Sequence, residues 1–372
     1  MQLPGRRMLK NLDFTMLVTA MAIMAFGVIV IWSASPAHLH RQVIWVVLGL
    51  GLVAATLTIN YSDLTRFANI IYVLNLGLLG AVAIAGRTGM GAQRWIAIGS
   101  FEFQPSELAK IAIIITLAAY LSRREGKMDD WPSFFWPFLH VAPPMLLIMM
   151  QPDLGTSLVF AAVLAGMMFV AGAPVKKLAI TFGGGLTAIV AWISLHLRFP
   201  EAIWIPLKEY QLKRLVVFLD PGIAPLKEGY HIIQSRIAIG SGGFLGKGLF
   251  NGTQTRLSFL PEQHTDFIFA VVGEELGFIG GAVLIFLLLL FLLRGLKAAT
   301  QTEDMFGTLI VTGIVSMWAF QIVVNIGMTI GVMPVTGIPL PFVSYGGSSL
   351  LANCIALGLL QGVFMRRQKI LF

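Results

Sequence analysis

Residues Arg256 to Gly277 read RLSFLPEQHTDFIFAVVGEELG. A polar run containing Pro261 ends at Thr265, and a long apolar segment opens on a carboxylate, Asp266. Glu274 and Glu275 follow about two turns further in, where ionisable groups are costly and rare unless something requires them. An apolar segment carrying acids so close to its mouth reads as part of a membrane scaffold that presents Asp266 at the bilayer surface.

Composition supports that class. Hydrophobic residues make up 57% of 372 and charged residues only 12%, against about 25% charged in an average soluble domain. Mean hydropathy is +0.82, as expected of a polytopic membrane protein. The net charge of +8 is topology charge and does not call for nucleic acid. Cys354, the one cysteine, lies in an apolar segment, so a disulfide framework and a cysteine-based metal site are both excluded.

Apolar runs predict ten spans, near 14–33, 42–59, 67–85, 107–121, 133–150, 155–172, 177–196, 266–293, 305–330 and 345–366. Arg6, Arg7 and Lys10 precede the first, which reads as a retained helix rather than a removed signal. The fourth is short and carries Lys110; in the fifth, Pro143 and Pro144 must kink or interrupt the helix. With the N-terminus inside, the inner segments hold Arg6, Arg7, Lys10, Arg66, Arg123, Arg124, Lys127, Lys176, Lys177, Arg294, Lys297, Arg366, Arg367 and Lys369. The short outer loops hold only Arg41, Arg87 and Arg94, a bias that puts both termini in the cytoplasm. The expected fold is an all-α polytopic membrane protein, one domain over 1–372, with a long external loop at about 197–265 between the seventh and eighth helices. Within that loop Trp204, Tyr210, Leu215 and Phe218 mix with Lys208, Lys213 and Arg214, as in an interfacial amphipathic helix.

Four polar clusters fall at external helix ends. Gly91 to Trp95 includes Arg94, and Gln104 to Lys110 places Ser106 as an N-cap with Glu107 in the first turn. Glu107 and Lys110 are three apart and can pair on one face, or Lys110 can meet an anionic headgroup. Gln151 to Ser157 sets Asp153 where a cap or a ligand would serve. Glu228 to Lys247 contains His231, Arg236 and the pair Gly246-Lys247, with Ser241 and Gly248 where a phosphate loop needs glycine and Ser or Thr. Pro339 to Ser349, with Ser344 and Gly346-Gly347, describes a broken, hydroxyl-lined approach to the last helix. The six histidines show no metal-ligand spacing.

GAQRW, FQPSELAK, QPDLGTS, GYHIIQSRIAIGSGG, FLPEQHTDFIFAVVGEELG and PLPFVSYGGSS occur in this order. Together they resemble the SEDS family of cell-wall polymerases (shape, elongation, division and sporulation) over nearly the whole chain. The GYHIIQSRIAIGSGG motif and Gly252-Thr253-Gln254 are most similar to the elongation branch. The resemblance implies a peptidoglycan glycosyltransferase that polymerises lipid II into a growing glycan strand on the outer face of the cytoplasmic membrane. It also implies a class B penicillin-binding protein as transpeptidase partner, beside other elongation-complex membrane proteins. Asp266 falls on the family's catalytic aspartate.

The chemistry fits a single base. A sugar hydroxyl is a poor nucleophile, and a carboxylate that takes its proton gives about 10²–10⁴ in rate. An α-linked donor yielding a β-linked product needs one inverting displacement, with cations on the leaving pyrophosphate. Candidates to bind substrate are Lys110, Glu107, Arg94, Asp153, Arg214, Arg236, Lys247 and Ser344, with Arg256 a further cation. A divalent cation, Mg or Mn, is a second way to bridge the pyrophosphate. Two other classes compete: a lipid II flippase or transporter, and a non-catalytic scaffold for a penicillin-binding protein.

Overall fold

Every long apolar run is helical in the computed structural model, which describes residues 10–367 apart from 90–91, 99–100, 125, 206–208, 224–228 and 258. Arg6, Arg7 and Lys369 of the charge reading, Gly91 of the first cluster, and Lys208 and Glu228 of the external loop lie outside the described residues. The helices are α1 (Phe14–Ala34), α2 (Pro36–Leu57), α3 (Tyr61–Ala85), α4 (Pro105–Ser122), α5 (Trp131–Met150), α6 (Leu154–Val170) and α7 (Val175–Arg198). After them come α8 (Glu209–Leu219), α9 (Tyr230–Gly242), α10 (Thr253–Arg256), α11 (Ile268–Glu275), α12 (Gly277–Thr300), α13 (Met305–Ile330) and α14 (Gly347–Arg366). Among the described residues nine are long and apolar enough to cross a membrane, and the 17-residue α6 is a shorter apolar helix. Helix starts are fixed by short acids and amides: Asp13 accepts from Met16 N at 3.0 Å, Asp130 from Ser133 N at 3.1 Å and Asp304 from Gly307 N at 2.7 Å.

The structure departs from the expected reading in four places. The chain is not purely helical: β1 (Arg87–Gly89), β2 (Ala92–Ile98) and β3 (Phe101–Phe103) form a small antiparallel sheet in the order β1-β2-β3. It lies between α3 and α4, where Trp95, Ile96, Ile98, Phe101 and Phe103 favour extended backbone. Ser106 is not the cap of α4; Gln104 holds that position, because Pro105 at the first helical residue has no N–H to satisfy.

Helix α5 runs unbroken through Pro137, Pro143 and Pro144. Pro144 cannot donate to the carbonyl of His140 four residues earlier. The Tyr72 hydroxyl donates to that carbonyl instead, at 2.8 Å, so the helix need not break to satisfy it. The expected span at 266–293 is two helices, because Gly277 at φ +62° ends α11 and starts α12. The carbonyls of Glu274 and Glu275 at this break receive the N–H groups of Lys247 and Gly248 at 3.0 and 2.9 Å. Interrupted backbone is tolerated in a bundle only when its polar groups are satisfied in this way.

Burial sorts the bundle into centre and rim. Within their most apolar stretches α14 is 83% buried, α4 78% and α13 72%, whereas α7 is only 6% buried. Helix α14 lies against α2 at backbone range. A Cβ on Gly49 would sit 2.6 Å from Cys354 Sγ, and one on Gly358 would fall 1.6 Å from Thr56 Oγ1. Small residues let spanning helices approach this closely. Ser35 alone joins α1 to α2.

Side-chain contacts divide the connections between two ends of the bundle. At one end Gln263 Nε2 donates to Ala34 O at 2.9 Å, and Gln104 N donates to Ser348 Oγ at 3.1 Å. At the other, Tyr61 Oη donates to Asp304 at 2.6 Å, Arg366 to Leu57 O at 2.8 Å, and Asp13 N to Gln361 at 3.1 Å. These contacts gather the Ser35 joint, the approach to α4 and the approach to α14 at the first end, and the α2–α3 and α12–α13 connections at the second.

Candidate functional site

The polar turn that precedes α11 is tied to the two central helices at its own end of the bundle. Within it, Thr265 N and Phe267 N both donate to Glu262 O, at 3.2 and 3.3 Å, with Glu262 at φ +52°. From the segment that enters α14, Ser344 Oγ donates to Thr265 O at 2.6 Å while accepting from Leu340 N at 2.8 Å. Tyr345 N donates to His264 O at 2.9 Å. From α13, the fully buried Asn325 donates to Asp266 O at 2.9 Å and to Ile338 O at 2.8 Å. One amide thus fastens the acid's main chain to the loop that faces it.

Asp266 is not the cap of α11. Phe267 occupies that position, without a side-chain bond. Among the described residues no hydrogen bond to the Asp266 carboxylate is present, and a Cβ on Gly337 (φ +74°) would lie 3.4 Å from its Oδ2. Protein atoms surround the carboxyl on most sides, although the residue keeps some solvent access. Burial, and then the charge of Glu262, pushes its pKa up to about 6 from an ordinary 3.8. Arg214 and Arg94 pull the other way, and Asp153 adds a smaller upward push. The result is a carboxylate that is ionised near neutral pH and poorly solvated, which makes it a stronger base than an exposed aspartate.

The other candidates sort by distance from this turn. Arg94 lies on β2 and straps the 151–153 corner: its Nε donates to Gln151 O at 3.0 Å, it also bonds Pro152 O, and it faces Asp153 at 3.9 Å. Asp153 caps α6 through Thr156 N at 3.1 Å and also meets Gln104 and Ser106, each at 3.4 Å. Arg214 is exposed on α8 and reaches Val335 O at 3.4 Å, beside the loop that carries Gly337. Asp266, Glu262, Arg94, Asp153 and Arg214 therefore form one electrostatic group, with Ser344 beneath it.

Four candidates are engaged elsewhere. Lys110 and Glu107 form a buried ion pair at 2.9 Å within α4. Lys247 is 2.7 Å from Glu274, whose carboxylate also accepts from Thr253, Gln254 and Thr255, so this pair closes the α11–α12 break. Arg236 donates to Gly331 O at 2.7 Å, at the C-terminus of α13. Arg256 is exposed on α10. Among the described residues no group of three or more His, Cys, Asp or Glu side chains is arranged to hold a metal. Asp153 is occupied by capping and Glu107 by Lys110, so these donors do not form a divalent-cation site.

Glu262, Asn325 and the pair His38–His264, stacked at 4.4 Å, were not singled out from sequence. Glu262 lay within the opening stretch, and Asn325 is a lone amide in an apolar span. Both signals were present without a partner to give them meaning.

The family model for the FtsW, RodA and SpoVE cell cycle proteins matches residues 13–369. The chain belongs to this family. The SEDS relatives include peptidoglycan glycosyltransferase MrdB of Escherichia coli K12, 37% identical over 364 residues, covering 97% of this chain and 95% of that one. Among solved structures, a peptidoglycan synthase complex that coordinates polymerization and crosslinking aligns with a TM-score of 0.78 at 37% identity, covering 95% and 97% of the two chains. The crystal structure of the rod shape determining protein RodA of Thermus thermophilus aligns with a TM-score of 0.71 at 31% identity, covering 96% and 98%. The SEDS match takes in both ends of the bundle and the whole of the Asp266 turn.

Proposed function

We propose that this SEDS protein is a peptidoglycan glycosyltransferase that polymerises lipid II during cell elongation, with Asp266 as its general base. The observation that carries the reading is the Asp266 carboxylate, raised in pKa, without a hydrogen bond among the described residues and pinned by its main chain at the entrance to α11. In this reading Asp266 takes the proton from the 4-hydroxyl of the acceptor GlcNAc as that oxygen attacks the anomeric carbon of the donor MurNAc. Undecaprenyl pyrophosphate leaves from the opposite face, giving inversion in one displacement. Arg214 and Arg94, the cations whose charge reaches Asp266, are placed to offset the growing negative charge of the pyrophosphate. Lys110 stays with Glu107 and stiffens α4 behind the Asp153 corner.

The basic bias assigns the Asp266 end to the outer face of the cytoplasmic membrane and both termini to the inside. The likeness to a synthase complex supports a class B penicillin-binding protein as partner, with other elongation proteins around it.

The test is gel analysis of glycan product from purified protein and lipid II in detergent. Wild type makes polymer. Asp266→Asn loses about 10²–10⁴ of that rate while eluting and melting as wild type does. Polymer from Asp266→Asn at the wild-type rate would refute the assignment. Product formed without a bilayer cannot arise from flipping, so the same gel separates enzyme from transporter, and the loss in Asp266→Asn separates enzyme from scaffold.

A further inference from the structure

A cavity of about 240 Å³ lies between α3, α4 and α5, at the opposite end of the bundle from Asp266. Its polar wall is built from Asn69, Thr116, Tyr120 and His140, with Arg123 and Arg124 at its mouth, just past the end of α4. The imidazole of His140 is stacked between the rings of Tyr72 and Tyr120, at 4.4 and 5.5 Å, and its Nε2 is 3.2 Å from Thr116 Oγ1. The wall is therefore fixed before any ligand arrives. One group in it is left over: the Tyr120 hydroxyl is buried and has no hydrogen-bond partner among the described residues. A buried polar atom without a partner is costly and rare, and a bound ion or water is one way to supply that partner. Arg124 stands 4.8 Å over the Tyr120 ring, and Arg123 is exposed beside it.

Arg124 over the Tyr120 ring, Arg123 in the same lining and an unsatisfied hydroxyl donor together describe a receptor for phosphate oxygens. The surroundings indicate where that phosphate comes from. Phe67 and Ile70 on α3 and Leu139 on α5 turn outward, 53%, 56% and 57% exposed, so apolar surface flanks the opening. The volume falls below the roughly 300–1,000 Å³ of a site that encloses a whole drug-sized ligand. It suits a head group whose chains remain outside.

We propose that this cavity binds the phosphate head group of an anionic phospholipid from the leaflet on its own side. Basic pockets between spanning helices on the cytoplasmic side take such head groups by the same physics. The plain alternative is that Arg123 and Arg124 serve only to orient the bundle.

The experiment is native mass spectrometry of the full-length protein titrated with phosphatidylglycerol or phosphatidylethanolamine, with inorganic phosphate as competitor. Wild type is expected to hold one phosphatidylglycerol in clear preference to phosphatidylethanolamine. The double variant Arg123→Gln/Arg124→Gln should bind it on the order of thirtyfold more weakly, about fivefold for each charge. Lys297→Gln, which removes an exposed cation elsewhere on the same end, should bind as wild type does. Tyr120→Phe removes only the unsatisfied hydroxyl and should weaken binding severalfold, so it carries the test if the double variant does not fold. Equal binding of the two lipids by wild type, or undiminished binding by the variants, overturns the proposal. Displacement by millimolar inorganic phosphate overturns the lipid as ligand in favour of a soluble anion.

Discussion

Asp266 has a raised pKa because burial withholds water from it and Glu262 adds a like charge, and the two effects set a pH dependence. A general base works only when deprotonated, so polymerisation should rise with pH through about 6 and level off above it. Glu262→Gln removes an upward push and should move that limb to lower pH; Arg214→Gln removes a downward pull and should move it higher. The check is kcat/KM against pH for the three proteins, and an unmoved limb in both variants would remove the electrostatic account. Asn325→Ala strips a donor from two carbonyls at once, at about 1–3 kcal/mol for each buried group left unpaired. It should lower kcat more than it raises KM, because the base is displaced while the substrate groove persists. Asp266 was legible because an acid at the mouth of an apolar run stands out on its own. Asn325 was not, because its meaning lies in the return of the 331–346 loop across the turn, which no local pattern records.

The elements show the same division between local and long-range causes. The long helices and helix α8 were readable from apolar runs and from the mixing of aromatic and basic residues. Of the kink or interruption expected in α5, the interruption does not occur, because Tyr72, on another helix, takes the carbonyl that Pro144 cannot serve. The missed break between α11 and α12 is the mirror case, since the N–H groups of Lys247 and Gly248 satisfy the interruption from a distance in sequence. Glu274 is fully buried at that break and Lys247 is its counter-ion, with a quarter of its own side chain exposed. Lys247→Met should therefore destabilise by about 2–4 kcal/mol, toward the low side of a buried pair that loses one partner. Adding Glu274→Gln should recover part of the loss. Melting curves of the single and double variants check the point, and equal losses in both would mean that the charge is not what costs.

Over the whole molecule, hydropathy was sufficient for the class of helical membrane protein, and basic bias supplies an expected orientation, because the bilayer restricts a chain to few solutions. The small sheet escaped notice because short strands in a loop carry little signal against spans of twenty residues. Orientation can be measured directly. Cys354 is fully buried and should not react, so added cysteines report alone. An impermeant maleimide applied to intact spheroplasts should label Glu201→Cys and spare Ser62→Cys, both at exposed positions. Labelling in the reverse pattern would invert the membrane assignment and with it the side on which polymer forms.

The one-residue joint at Ser35 has a consequence for how the chain tolerates lengthening. Each added residue turns a helix by about 100°, so even a single insertion there would swing Gly49 and Thr56 off the seam they share with Cys354 and Gly358. The exposed residues 200–202 just after α7 have no such phase to keep, whereas the stretch from α9 to α10 does, since Lys247 and Gly248 seat the α11–α12 break. Evolution and the engineer face the same rule here: tags, sensors or new docking modules fit just after α7, and the first hairpin must keep its exact count.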